Sequence, residues 1–270
     1  MLRRLLVLLL VFGLPAAAAA ADGPRLPDGL KAGGTAKAVE VVDGDTLVLD
    51  DGRQVRLVGL QAPKLPLDRP GFKTWPLADK AKAALERLAL GRTLALSYGG
   101  RETDRHRRAL AHLTDAETGR WIQGAMLAQG MARVYTFKDN RSAIAEMLAL
   151  EQAAREAGRG IWSHPYYAVR TPETVARDVD SFQVVEGTVL SVGLNKGKTF
   201  LNFGADWRSD FTVAIEGRDA KSFRDAAFSL KELEGRRIRV RGWVKSWNGP
   251  MIEASHPEQI ETAGLGPAAR

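Results

Sequence analysis

No cysteine occurs in the chain, which excludes disulfide bridges and thiolate metal sites and leaves its cores to fold without covalent staples. Beyond residue 21 there is also no apolar run approaching the roughly 20 residues that a membrane-spanning helix needs, so no stable membrane insertion is expected of that portion. The one long apolar run stands at the start. MLRRLLVLLLVFGLPAAAAAA combines Arg3 and Arg4, the stretch Leu5 to Leu14 and an alanine tract of the A-x-A cleavage type. Pro15 and the small residues after it favour cleavage over anchoring, so residues 1–21 are predicted to be a signal peptide and the mature chain to be secreted or periplasmic.

What remains has the composition of an ordinary globular protein, 45% hydrophobic and 26% charged, and 270 residues accommodate one large or two modest domains. Removing residues 1–21 takes away two arginines and lowers the formal charge from +7 to +5. A basic balance of this kind favours polyanionic partners such as nucleic acid.

The most informative stretch is VVDGDTLVLDDGRQVRLVGLQAPK, residues 41–64. Thr46 to Leu49 form one strand, Asp50, Asp51 and Gly52 supply the short polar residues and the glycine of a tight turn, and Val55 to Leu60 return as a second strand. Asp43 and Asp45 in the preceding turn, Arg56 across the hairpin and Arg108 on a later strand make a set suited to phosphate. Two guanidiniums can grip a phosphoryl group by paired hydrogen bonds, and a carboxylate can carry a cation between them. A plain salt bridge between Asp45 and Arg56, bracing the hairpin, is the other reading of the same residues.

Asp43-Gly44-Asp45-Thr46, Arg56-Leu57 and Gln61-Ala62-Pro63 resemble motifs of the staphylococcal nuclease (thermonuclease) family. So do Thr103-Asp104-Arg105-His106-Arg107-Arg108-Ala109-Leu110-Ala111 and Gly158-Arg159-Gly160-Ile161-Trp162 further on. The resemblance implies a five-stranded oligonucleotide-binding barrel with three helices over residues 36–165, acting on the phosphodiesters of single-stranded DNA or RNA with calcium. It implies catalytic roles for Arg56 and Arg108, and a calcium site at Asp45, position 61 and the Ala62 carbonyl, with Asp43 reaching the ion through water. Two acidic residues of the family pattern are replaced: Gln61 stands at the second carboxylate ligand and Lys64 at the glutamate that activates water. A neutral amide weakens a hard-cation site, and an ammonium cannot take a proton from water, a loss of about 10²- to 10⁴-fold in rate. Weak, altered or lost hydrolysis is therefore expected, with calcium bound weakly and Lys64 serving as a phosphate contact. An active nuclease with a replacement carboxylate from Asp68 or Asp79 is the alternative, and a barrel pair devoted to envelope or protein contacts is a second.

Along the rest of the chain, residues 22–35 read as a linker rich in proline and glycine. Helices are expected from Leu77 to Leu90, from Ile122 to Gln129 and from Ser142, as cap, to Ala157, with strands at Leu94 to Tyr98 and Ala109 to Leu113. Residues 166–181 lose periodicity and read as a second linker. Residues 182–262 then run strand-strand-strand-helix-strand-strand, which resembles a second oligonucleotide-binding barrel before a tail over 263–270. There Trp207, Arg239, Arg241 and Trp243 are candidate nucleic-acid contacts, although alternating arginines also mark the solvent face of a sheet. The class expected is α+β, mostly β, with two tandem barrels.

Overall fold

The structure, a computed structural model, describes residues 23–262; the signal peptide and tail expected at the two ends lie outside the described residues. The first half comprises β1 (Lys31–Asp43), β2 (Thr46–Leu49), β3 (Gln54–Leu57), β4 (Leu60–Gln61), α1 (Ala78–Ala89), β5 (Thr93–Tyr98), β6 (Ala109–Asp115), α2 (Ile122–Ala128), β7 (Arg133–Val134) and α3 (Ile144–Glu156). Five of these strands close into a barrel in the order β1-β2-β3-β6-β5, antiparallel except for β3 beside β6. β1 can belong to two pairings because irregularities at Ala32/Thr35 and Ala38/Glu40 bend it from β5 towards β2. Alternate residues face inward: Leu47 and Leu49, Val55 and Leu57, Leu94 and Leu96, and Ala109, Ala111 and Leu113 are all buried in one core, against which α1 lays Ala81, Ala84, Leu85 and Leu88.

Pairing of β1 already begins at Lys31, opposite Tyr98, so the last five residues of the expected 22–35 linker are barrel strand. One of the glycines that suggested a linker has a packing role: a Cβ on Gly33 would lie 2.3 Å from the Tyr98 ring. Upstream, the Pro24 carbonyl accepts the Trp121 N–H, and Leu26 packs on the core. α3 starts after Ala143, and the Ser142 hydroxyl donates to the Gly99 carbonyl instead of capping the helix.

The second half contains β8 (Phe182–Thr188), β9 (Ser191–Asn195), β10 (Lys198–Asn202), β11 (Thr212–Ile215), α4 (Ala220–Asp225), β12 (Arg237–Ser246), β13 (Pro250–Glu253) and β14 (Ile260–Glu261). A second closed barrel was expected, and the strands correct this: they form one seven-stranded sheet, ordered β14-β12-β13-β11-β10-β9 with β8 on β12, whose ladder is open between β8 and β9. The break lies at Val189 and Leu190, where successive amides bond in opposite directions, Val189 to the Arg236 carbonyl and Leu190 to that of Asn202. Val213, Ile215, Phe223, Val240, Val244 and Ile252 centre a core of its own beneath this sheet. Among the described residues no helix is long and apolar enough to cross a membrane.

The two cores meet through polar side chains. Even-numbered residues of β12 enter the second core, and on its odd-numbered face Arg241 and Trp243 reach the first half. Arg241 is 1% exposed; its Nη1 donates to the Val134 carbonyl and to Glu151, both at 3.0 Å, and its Nη2 to Glu151 at 2.9 Å and to Glu261. Glu151, on α3, also accepts from Arg155 at 2.8 Å. Arg239 is held by Glu186 and Glu261, and the Trp243 Nε1 donates to the Tyr135 hydroxyl at 2.9 Å. Arg241, expected as a nucleic-acid contact, is therefore buried in the joint; Arg239 is tied to glutamates of the second half itself, and Trp243 is anchored to Tyr135 with its ring still 43% exposed. Around the joint, Thr136 Oγ1 lies 2.8 Å from His256 Nε2, Lys138 pairs with Asp219 at 2.7 Å and Arg141 with Glu258 at 2.6 Å.

Arg241→Met removes the cation from a buried pair, a change that typically costs about 3–5 kcal/mol. Because Arg155 stays beside Glu151, a loss near the lower end is expected in urea denaturation, with an unchanged midpoint showing that the joint adds no stability. Burial also pushes His256 and His112 down to about 4, so the folded state favours their neutral forms. Stability should be full above the ordinary value of 6.5 and fall as pH drops towards about 4, by an amount on the order of 2–3 kcal/mol per histidine, and His256→Gln should flatten that profile.

Candidate functional site

At the end of the first hairpin the Asp45 N–H donates to Asp43 Oδ1 at 3.0 Å, which folds both carboxylates into one turn. Gly44 between them allows α1 and the following loop to press close: a Cβ there would meet the Cβ atoms of Ala62 and Ala81 at 2.7 and 2.8 Å. The price of that packing is burial of two acids, Asp45 at 0% and Asp43 at 3% exposure. Lys64 answers it. Its Nζ lies 2.6 Å from each Asp45 oxygen and 3.3 Å from Asp43 Oδ2. Asp45 Oδ2 also takes the Ala62 N–H at 2.8 Å and lies 3.3 Å from Arg56 Nη2. Burial alone would raise the Asp45 carboxyl; the charges of Arg56 and Lys64 and the bonds from Lys64 and Ala62 outweigh it and hold the group well below the usual carboxylate range. Asp43 is pushed up instead, by burial first and then by the neighbouring Asp45 charge.

These residues do not fit a calcium ion. Both carboxylates face an ammonium, and Gln61, the expected second ligand, is turned away: its Oε1 accepts from Arg133 Nε at 3.2 Å and Nη2 at 3.0 Å, across the β4–β7 pair. Asp68 lies exposed in the following loop and Asp79 exposed in the first turn of α1. Among the described residues no cluster of three or more His, Cys, Asp or Glu side chains could hold a metal. Nor is Lys64 free as a phosphate contact or a base, since its head group is enclosed by the two aspartates, at 19% side-chain exposure.

Arg56 stands on the outer face of the parallel pair β3–β6 and Arg108 immediately before β6, while the inner face supplies Val55, Leu57, Ala109 and Ala111 to the core. Both line a cleft of about 440 Å³. Within it Arg56 also braces the chain, donating to the carbonyls of Leu57 and Leu60 at 2.8 Å each. Arg108 is held by Asp104, Nε to Oδ2 at 2.8 Å, which leaves its Nη1 edge without a protein partner among the described residues. Arg101, Arg105 and His106 line the same cleft, against only Asp104 and Asp139, and Tyr135 with the half-exposed Phe137 forms its apolar wall. Sequence reading passed over Arg101, Arg105 and the two aromatics. The density of basic residues over RETDRHRR was the signal for the former; nothing in a two-residue strand followed by a loop marked the latter. Trp207 lies apart, on the second half.

The model of the staphylococcal nuclease homologue family matches residues 54–164, which spans Arg56, Gln61, Lys64 and Arg108, begins after Asp43 and Asp45, and ends before the second sheet. Protein ParB of Escherichia coli is 34% identical over 140 residues, 48% of this chain and 73% of that protein. Thermonuclease of Staphylococcus hyicus is 28% identical over 134 residues, 48% of this chain and 76% of its own. An uncharacterized endonuclease of Escherichia coli O157:H7 is 31% identical over 130 residues, 47% of this chain and 76% of its own. With a barrel, hairpin and paired arginines of the expected kind, the chain belongs to the staphylococcal nuclease homologue family.

Proposed function

We propose that this chain grips the phosphodiesters of single-stranded nucleic acid along its arginine-lined cleft and has lost calcium-dependent hydrolysis. Four arginines against two aspartates give the cleft the charge for a polyanion, and Phe137 offers a face on which a base can stack. The observation that carries the second half of the reading is the Lys64 ammonium between Asp43 and Asp45. It neutralises the carboxylates a hard cation would need, and it replaces a side chain that could accept a proton from water. The transition-state clamp is kept in Arg56 and Arg108, while the group that would create the nucleophile is not.

The same reading treats residues 36–165 and 182–262 as two tandem oligonucleotide-binding domains. If β8 and β9 are taken as one bent strand, the order β8/β9-β10-β11-β13-β12 repeats that of β1-β2-β3-β6-β5, and the parallel pair β11–β13 repeats β3–β6. The N-terminal signal pattern supports an exported location.

Lys64→Glu should give a calcium isotherm that the unaltered chain lacks, together with at least tenfold more calcium-stimulated cleavage of single-stranded DNA. Adding Gln61→Asp should contribute little, because the new carboxylate would face Arg133. Neither binding nor cleavage in Lys64→Glu would mean that the lysine is not what closes the site. For the unaltered chain, binding of a single-stranded oligonucleotide should persist in chelator and weaken with salt. Arg105→Ala and Arg108→Ala should each lower affinity and reduce the logarithmic salt slope by about 0.7. Binding that ignores salt would refute the electrostatic grip.

A further inference from the structure

The outer face of the second sheet carries a groove of about 500 Å³ that shares no lining residue with the arginine cleft. Lys198, Phe200 and Asn202 of β10 and Met251 and Glu253 of β13 face it, in alternation with the core residues Leu201 and Ile252. Two indoles stand on its rims, Trp207 at 51% exposure in the β10–β11 loop and Trp247 at 65% in the β12–β13 turn. On the floor, the cross-strand partner of Phe200 is Gly193 of β9, which has no side chain to cover the ring; a Cβ there would meet nothing within 4 Å. Aromatic faces left open along one concavity mark a binding site.

Cations surround these rings. Glu216 is paired with Lys198 at 2.7 Å and Glu253 with Lys245 at 2.6 Å, which engages both carboxylates of the lining. Lys196, in the β9–β10 turn, and Arg208, whose guanidinium lies 4.3 Å from the Trp207 ring centroid, make no ion pair among the described residues. Lys198 Nζ stands 6.0 Å from the Trp247 centroid, so each indole has a cation beside it. The acids of the Trp207 loop are bonded within it: Asp206 accepts the Arg208 N–H at 3.1 Å and the Ser209 hydroxyl at 2.9 Å, and Asp210 accepts the Asp206 N–H at 2.8 Å. Their charge tempers that of Lys196 and Arg208, so stacking carries the binding and anions add to it. A polymer that alternates flat rings with single anions matches this spacing of aromatic faces and cations. A bilayer would touch only the projecting side chains and leave the Phe200 floor empty, and a neutral ligand would leave Lys196 and Arg208 unanswered.

We propose that this groove is a second site for single-stranded nucleic acid, with bases stacking on Trp207, Trp247 and Phe200 and phosphates meeting Lys196 and Arg208. It rests on the reading of the chain as a nucleic-acid binder and gives the second half a strand path of its own, dominated by stacking where the arginine cleft is dominated by charge.

The test uses the full chain carrying Arg105→Ala and Arg108→Ala, which disable the cleft, titrated calorimetrically with hexathymidylate. Residual binding is expected. Adding Trp207→Ala or Trp247→Ala should weaken it about tenfold, the order of one lost base stack, with no change in melting temperature because both side chains are exposed. Trp247→Phe should keep most of the affinity, and Gly193→Val, which covers the Phe200 ring without removing an aromatic group, should lower it. Arg208→Ala should reduce the logarithmic salt slope of this site by about 0.7. The proposal is overturned if the two arginine replacements abolish all binding, a result that leaves the cleft reading intact, or if the residual binding survives both tryptophan replacements. It is also overturned if the tryptophans prove necessary for binding vesicles of mixed neutral and anionic phospholipid, or a neutral tetrasaccharide, and not for hexathymidylate. Binding untouched by the arginine replacements and lost with the tryptophans would support the groove while sinking the cleft reading.

Discussion

A carboxylate taken out of water must find a cation, and this constraint organises the molecule at its two decisive points. Asp45, with 0% exposure, is closed over by Lys64 and Arg56, and Glu151, also at 0%, by Arg241 and Arg155. An unpaired ion at either place would carry a desolvation penalty of several kcal/mol, enough to consume much of a domain's net stability. The first pair decides what the barrel can do chemically. The second decides how the two halves are held, because Glu151 belongs to α3 and Arg241 to β12.

The family pattern places acids where this chain has Gln61 and Lys64, and the two replacements behave as a coupled change. With Lys64 inserted, Asp43 and Asp45 need no external cation. Gln61 is then free to serve Arg133, a buried guanidinium at 4% exposure whose carbonyl-type partner is that amide oxygen and whose ring neighbours are Phe182 at 4.7 Å and Tyr167 at 5.7 Å. Burial lowers Arg133 to about 10, still far above neutral pH, so it remains a cation held by a dipole and aromatic faces. Phe182 opens the second sheet, so this arginine is also part of the joint. Residues that would face a metal in the family pattern have become structural.

Much of this was legible in the sequence because it depends on local pattern. The Thr46–Leu49 strand, the Asp-Asp-Gly turn and the helices ending near Gly91 and Gly158 follow from alternation, turn chemistry and three- and four-residue spacing. The mismatch at positions 61 and 64 could be read directly, and so could the basic run before Arg108. What alternation cannot supply is the identity of the surface opposite. The odd-numbered face of β12 was correctly expected to be shared by Arg239, Arg241 and Trp243, yet whether water, nucleic acid or α3 covers it depends on contacts more than 80 residues away, such as Arg241 with Glu151 at |i−j| of 90. The orientation of Lys64 was missed for the same reason: a lysine after a proline in an irregular loop carries no periodic signal, and only the burial of Asp43 and Asp45 explains why it turns inward.

The joint reaches into the cleft as well. Tyr135 lines the cleft wall beside Phe137, ring centroids 4.9 Å apart and nearly perpendicular, and packs edge-on against Phe182 at 4.8 Å on its other side. Its hydroxyl is fixed by Trp243 Nε1, so both the ring and the polar tip of this wall residue are set by the second half of the chain. Lys138 and Arg141, which flank the cleft residues Asp139 and Asn140, are likewise tied to Asp219 and Glu258. Within the first half, residues 133–141 are a strand of two residues and a loop, held by the β4–β7 pair, by the Tyr135 N–H on the Gly59 carbonyl and by Asn140 Nδ2 on the Arg101 carbonyl. The second folded unit adds ties at Tyr135, Lys138 and Arg141, so this wall of the cleft is held from both halves of the chain. The second unit thus contributes to the cleft without lining it, and the charge along β12 that the sequence displays is spent in part on this joint, at Arg241.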